Sequence, residues 1–278
     1  MARNEVAYLG PKGTYSYLVA TKRFRSEKPL WRGYESVREV CDHVARTKGC
    51  RGIIPITNSS GGDIYPTVDA LLDNKLDLSI KEELCLNVSL ALVGHRTREI
   101  SRVYSHFAPY AHCKTWLEKK YPGHEYIEAP STCVAIRESA QDASSVAIGS
   151  KQAARIYGME VLKHPMTPKR TKNVTHFFII QKDSAPHPRA KRTSLAVKLR
   201  NKPGSLHDFL HPFREANVNL SRIISRPIQG KPKEVAFFID VDANLVAQPL
   251  HWILKQASKH TSTLRVIGAY AFRAEYSS

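Results

Sequence analysis

The sequence predicts an α/β chain built in two parts: parallel strands with helical crossovers over residues 1–182, a linker at 183–193, and a small βαββαβ module over 194–274. Three observations predict it. Short β-branched runs end repeatedly in polar, Gly-containing loops that open amphipathic helices, the pattern of a parallel sheet. The stretch from Asp183 to Thr193 is Pro-rich and charged, as connections between folded units are. Beyond it the apolar runs follow the order strand, helix, strand, strand, helix, strand, which is the ferredoxin-like pattern.

Composition bounds the function. A chain of 278 residues with 42% hydrophobic content can bury a sizeable core in one to two domains. No apolar run approaches the roughly 20 residues that a membrane helix needs. Residues 1–6 lack the apolar core of a signal peptide, so a cytoplasmic location is expected and no membrane partner. The five cysteines (Cys41, Cys50, Cys85, Cys113 and Cys133) are scattered without a CxxC pair, which argues against a disulfide framework and a zinc site. They read as small buried hydrophobes. The net charge of +17 favours anionic partners. Its basic residues are dispersed, and no zinc finger, RNA-stacking motif or basic heptad turns that charge into nucleic-acid recognition. A dicarboxylate in a basic cleft would be favoured by it, as would many other partners.

The elements follow in order. Residues 6–9 form a short strand, Gly10, Pro11 and Gly13 a turn, and Thr14 or Ser16 can cap a helix running to Arg25. Helical periodicity over 36–48 puts Val37, Val40, Cys41 and Val44 on one face. A strand at 52–56 ends in the polar loop Thr57-Asn58-Ser59-Ser60-Gly61-Gly62, where Asn58 and Ser59 are hydrogen-bonding candidates or plain turn residues. A helix follows with Val68, Leu71 and Leu72 inward. Residues 76–93 alternate and then turn apolar, as strands crossing into another lobe do. A strand ends at His106, a helix spans 110–120, a short strand covers 125–128, and Ser131-Thr132 caps a helix. A strand at 146–148 turns at Gly149-Ser150 into a helix over 152–157, stopped by Gly158. In the second part, strands are expected at 194–199, 219–225, 234–241 and 263–269, helices at 207–215 and 249–259, and a hairpin loop at 229–233.

One stretch stands out. Lys172-Asn173-Val174-Thr175-His176 runs into Phe177-Phe178-Ile179-Ile180 and reads as a loop feeding a buried strand, where α/β proteins place reactive groups. A hydroxyl beside an imidazole there can donate a proton near neutral pH, or simply satisfy backbone groups.

Tyr8-Leu9-Gly10-Pro11-Lys12-Gly13-Thr14-Tyr15-Ser16 resembles the opening motif of prephenate dehydratases. Pro55-Ile56-Thr57-Asn58-Ser59-Ser60, Ser105-His106, Ser131-Thr132, Ala147-Ile148-Gly149-Ser150 and Asn173-Val174-Thr175-His176-Phe177 follow in that family's order. Lys202-Pro203-Gly204, Asn219-Leu220 and Ser225-Arg226-Pro227 resemble its C-terminal ACT domain, so the resemblance covers nearly the whole chain. It implies a two-lobed, periplasmic-binding-protein-like catalytic domain, with lobe one about 1–80 and 163–182 and lobe two about 81–162, followed by an ACT regulatory domain. The family decarboxylates and dehydrates prephenate to phenylpyruvate in phenylalanine biosynthesis, without a cofactor. A homodimer or homotetramer with L-phenylalanine as effector is the expectation from resemblance. Carried over residue by residue, the resemblance implies Thr175 and His176 as catalytic residues. Thr14, Asn58, Ser59, His112, Ser131 and Thr132 would bind substrate. Gly204, Ser205, Leu206, Asn219 and Leu220 would bind the effector, and no metal is implied.

The chain also departs from the family pattern. His176 stands where an Arg is usual, Thr57 where a Glu is usual, His112 where a Gln is usual, and Ile224 replaces the Glu before Ser-Arg-Pro. Arg clamps a carboxylate permanently and bidentately, whereas the charge of His depends on pH. Three activities therefore stay open: a dehydratase, a prephenate decarboxylase that leaves the ring hydroxyl in place, and an amino-acid-sensing homologue. The retained Thr175 favours the first.

Overall fold

The computed structural model describes residues 4–96, 99–166, 173–182, 185–228, 230–244 and 248–278. Lys172, the linker's Asp183 and Ser184, Gln229 of the hairpin loop and most of the basic cluster at 163–172 lie outside the described residues. No helix among the described residues is long and apolar enough to cross a membrane.

Two sheets organise the chain. The first begins with β1 (Glu5–Leu9), α1 (Tyr15–Arg23), β2 (Leu30–Tyr34), α2 (Val37–Arg46), β3 (Arg51–Asn58), β4 (Gly62–Asp63), α3 (Tyr65–Leu72) and β5 (Leu78–Asn87). The chain then crosses to a second sheet through β6 (Ala91–Gly94), β7 (Arg102–Ser105), α4 (Phe107–Lys120), β8 (Glu125–Glu128), α5 (Thr132–Ser139), β9 (Ser145–Gly149), α6 (Lys151–Ile156) and β10 (Glu160–Lys163). It returns to the first sheet with β11 (Val174–Lys182), between β5 and β3. The remaining elements are β12 (Arg192–Leu199), α7 (Ser205–Glu215), β13 (Leu220–Ile228), β14 (Lys231–Val241), α8 (Gln248–Ser258) and β15 (Thr261–Ser277), the expected βαββαβ order.

Local chemistry explains the elements. Ser36 caps α2 by accepting from the Glu39 amide, and Val37, Val40, Cys41 and Val44 form its buried face, as their spacing predicts. The five cysteines are free and buried. In β11 the period of two divides the strand between two cores. Phe177 and Ile179 join Leu84, Leu86 and residues of the second sheet, while Phe178 and Ile180 join Val68, Leu71 and the C-terminal part.

Three features differ from the expectations. β2 was not foreseen, because Leu30-Trp31-Arg32-Gly33-Tyr34 is an edge strand with no buried residue, held by parallel pairing to β1. The edge strand β10, which also has no buried residue, was missed for the same reason. The final strand is much longer than 263–269. It pairs with β12 through Tyr270, then runs on from Ala271 to Ser277 in parallel pairing with β5. The C-terminal module joins the first sheet through this strand. Its strands continue the first sheet in the order β13-β14-β12-β15-β5-β11-β3-β1-β2. Residues 187–191 also lie along β15, through amides of His187 and Lys191 on carbonyls of Ala269 and Tyr270. One face of the module is covered by α7 and α8, and the other packs on α3 and β11.

Candidate active site

Topology gathers the polar loops. β1 and β3 are parallel, so the Gly10–Thr14 turn and the Asn58 loop leave the same edge of the sheet. β11 runs antiparallel to β3 and begins at that edge, pairing Thr175 with Asn58. In the second sheet β7, β8 and β9 are parallel. Their carboxyl ends deliver His106, Ser131 and Ser150, each capping the helix that follows. The two edges meet. Cys133 Sγ and Tyr157 Oη both donate to the Lys12 carbonyl, at 3.3 and 3.0 Å. Gly13, at φ +101°, comes so close that a Cβ there would lie 3.1 Å from Cys133 Sγ. Carboxyl strand ends and helix N-termini facing one another make a cleft suited to an anion.

Thr175 is 7% exposed at the first of these edges. Asn58 Nδ2 donates to its Oγ1 at 2.8 Å and to Asn173 Oδ1 at 2.7 Å. The opposite end of the Asn58 amide is fixed, because Oδ1 accepts from the amides of Ser60 and Gly61 at 2.9 and 2.8 Å. With the amide so oriented, the threonine oxygen is an acceptor, and its own proton can point to a ligand. Ser59 pins the strand beside it: its amide donates to the Val174 carbonyl and its hydroxyl accepts from the Val174 amide, both at 2.9 Å.

Several expected substrate ligands have other work. The Thr14 hydroxyl donates to the Leu9 carbonyl at 2.6 Å and accepts from the Tyr17 amide, so it shapes the turn and caps α1. Asn58 and Ser59 serve Thr175 and its strand, as described. The Ser131 hydroxyl accepts from the Val134 amide. What these caps leave for an anion is the first-turn backbone N–H groups of α1 and α5. Thr132 stands beside Tyr15, and His112 is exposed on α4.

His176 requires a correction. Adjacent strand residues face opposite ways, and its ring lies on the far side of β11 from the face that Phe177 shares with the second sheet. Its Nδ1 is 3.1 Å from Glu83 Oε1, and its ring packs near Phe272. It does not sit beside the Thr175 hydroxyl as a carboxylate clamp.

Sequence reasoning missed Asn173 as a site residue, although it lies in the same motif. It also missed two buried polar atoms at the meeting of the edges. Tyr15 Oη and Gln152 Oε1 have no hydrogen bond of good geometry to any described residue. Burial pushes the Tyr15 phenol well up, and pushes Tyr157 to about 12. It raises the Cys133 thiol and lowers His106. The cleft therefore presents neutral donors, with neither a thiolate nor a phenolate near neutral pH. Among the described residues one group could hold a metal, Glu5, His43 and Cys50. It lies at the opposite end of β1 from the cleft, and the Glu5 carboxylate already engages His43 at 3.1 Å and Arg32 at 3.8 Å.

In the C-terminal part, Gly204 precedes α7 without a side-chain cap, and the Ser205 hydroxyl is buried without a partner among the described residues. Leu206 is half-exposed, Leu220 starts β13, and Asn219 Nδ2 donates to Asp242 Oδ2 at 2.9 Å. Ile224 faces the other way. It is buried in the core shared with Val68, Leu71 and Phe178.

Comparison with known proteins agrees with this architecture. The family model described as prephenate dehydratase matches residues 6–185, and that of the ACT domain matches 193–250. A prephenate dehydratase of Methanocaldococcus jannaschii is 32% identical, covering 95% of this chain and 97% of its own length. A prephenate dehydratase of Arthrobacter aurescens, solved in complex with L-Phe, superposes with a TM-score of 0.85 at 25% identity, covering 96% of this chain and 89% of that one. A chain described as a novel type of quorum quenching acylase also superposes with a TM-score of 0.85, covering 97% of this chain and 98% of that one. At 23% identity that likeness shows the fold alone.

Proposed function

The chain belongs to the prephenate dehydratase family, and on that premise we propose that it converts prephenate to phenylpyruvate, with Thr175 assisting the departing hydroxyl. The observation that carries this reading is the contact from Asn58 Nδ2 to Thr175 Oγ1. It commits the threonine oxygen as an acceptor and frees its proton.

The reaction takes one prephenate dianion and one proton to phenylpyruvate, carbon dioxide and water. The electron pair of the breaking C–CO₂ bond enters the ring as the C–OH bond breaks, and aromaticity supplies the driving force. The protein's task is to hold two carboxylates and to donate to the leaving oxygen. A threonine hydroxyl is too weak an acid to give up its proton outright, so its role is a hydrogen bond that strengthens as negative charge develops on the departing oxygen. The first-turn amides of α1 and α5 suit the carboxylates. Tyr15 and Thr132 would add neutral donors between them.

The effector reading is that L-phenylalanine binds near Gly204, Ser205 and Leu206. The unpartnered Ser205 hydroxyl supports it, as does the ligand named for the Arthrobacter aurescens relative. Asn219 and Leu220 lie at the opposite end of β12 from that turn in the same chain, so they would border the site only from another copy, in a homodimer or homotetramer.

Purified protein given prephenate is expected to release phenylpyruvate and carbon dioxide in equal amounts. Carbon dioxide without an aromatic product would make it a decarboxylase instead, and neither product would leave a binding protein. Thr175→Ala is expected to abolish turnover while leaving the urea unfolding midpoint nearly unchanged; full activity in that variant sinks the role given to Thr175.

A further inference from the structure

We propose that Glu83 is a positioning residue for the reaction, fastening the strand that carries Thr175 to the sheet of the ACT part. The proposal rests on the role of Thr175 given above. Glu83 lies on β5 with 0% exposure. It is on the face turned toward the C-terminal module, paired across from Phe178. Its Oε1 meets His176 Nδ1 at 3.1 Å and accepts from Arg222 Nη2 at 3.2 Å, and its Oε2 accepts from Arg192 Nη1. One buried carboxylate thus has partners from β11, β12 and β13. Burial alone would raise its pKa, but the His176 bond and the two guanidinium groups outweigh that and hold it below the usual carboxylate range.

The network continues in both directions. Arg192 Nε donates to Asp242 Oδ1 at 3.0 Å, and Asp242 also accepts from Asn219 and Ser221. Arg222 Nη1 reaches Asp240, itself held by Ser194. At the other end His176 is the chain neighbour of Thr175, whose oxygen Asn58 holds from the opposite side. Contiguous hydrogen bonds therefore run from Asn219, at the start of β13, to the residue next to Thr175. A buried ion is costly to leave unpaired, so separating any of these strands would leave a charge uncompensated. Here the His that replaces the family's Arg has a use: it reaches backward to Glu83 and fixes the backbone of β11 at Thr175.

The test is Glu83→Gln, which keeps the shape and removes the charge. Each arginine retains a second carboxylate, Asp242 for Arg192 and Asp240 for Arg222, so the variant is expected to fold. Hydrogen exchange at the amides of residues 174–176 is expected to speed up at least tenfold, with Ile53 and Ile54 of β3 unchanged; this readout needs no substrate. With prephenate, kcat is expected to fall about tenfold while KM stays within about twofold, the signature of a displaced catalytic group. The double variant Glu83→Gln with His176→Gln should be no slower than Glu83→Gln alone, because both act through one contact. Unchanged exchange at 174–176 in the folded variant, or a wild-type kcat, overturns the proposal. A wild-type protein that does not turn over prephenate overturns the reaction instead, and the exchange result then decides on the anchor. Should Glu83→Gln fail to fold, Arg222→Lys keeps the charge, loses the planar fork and carries the same expectations.

Discussion

Asn58 shows how a residue can serve a reaction without touching what reacts. Its amide bridges two strands and sets which way the Thr175 proton points. Asn58→Ala is expected to lower kcat about a hundredfold, by misorienting that hydroxyl, and to cost about 1 kcal/mol in stability. Steady-state kinetics and urea unfolding separate the two effects. Asp240 sets a pH dependence of stability. It is fully buried, and desolvation pushes its carboxyl from 3.8 up to about 6, against the lowering effect of Arg222 and Ser194. Between those values the folded chain holds more protons than the unfolded one, so stability should fall as pH rises from about 4 to about 6, by on the order of 2–3 kcal/mol. Asp240→Asn should remove this slope, as chemical unfolding across that range would reveal. At this scale the sequence was legible in part. Thr175 and Asn58 lay in polar loops at strand ends, where chemistry is expected, but which way His176 points depends on which core each face of β11 meets. Glu83 gave no signal, because a Glu following Lys81 and Glu82 in β5 carries no mark of its partners more than 90 residues away.

Among the elements, period-two and period-3.6 patterns revealed the strands and helices with apolar faces. They failed at the edge strands β2 and β10, whose pairing is backbone-to-backbone and leaves little trace in side chains. β15 was recognised but cut short: its second half alternates Phe272, Ala274 and Tyr276 with Arg273, Glu275 and Ser277 and finds its place by lying along β5. The approach there is close. At Gly268 a Cβ would overlap the Ile80 carbonyl oxygen and sit 2.9 Å from the Ile80 nitrogen. Gly268→Ala must push β15 away from β5, and a loss of about 3 kcal/mol is expected, read as a lower urea midpoint. A midpoint unchanged within error would mean that the strands can separate at no cost.

For the whole molecule, the two-part order was readable because linker composition and the βαββαβ rhythm are local properties. That the parts share one sheet was not, since it depends on pairing between residues about 190 positions apart. Further ties cross the same boundary: Arg226 forks onto Asp69 at 2.6 and 2.7 Å over the Tyr65 ring, and Arg265 donates to the Leu71 carbonyl at 2.7 Å. Arg222, Ile224 and Arg226, at alternate positions of β13, all serve this boundary. The shared strand also bears on how the protein comes into being. A ribosome makes β15 after every other strand of the sheet, so β5 waits with one edge unpaired while the chain grows. Through that interval the nascent chain offers this edge of β5 as a template to any neighbouring strand.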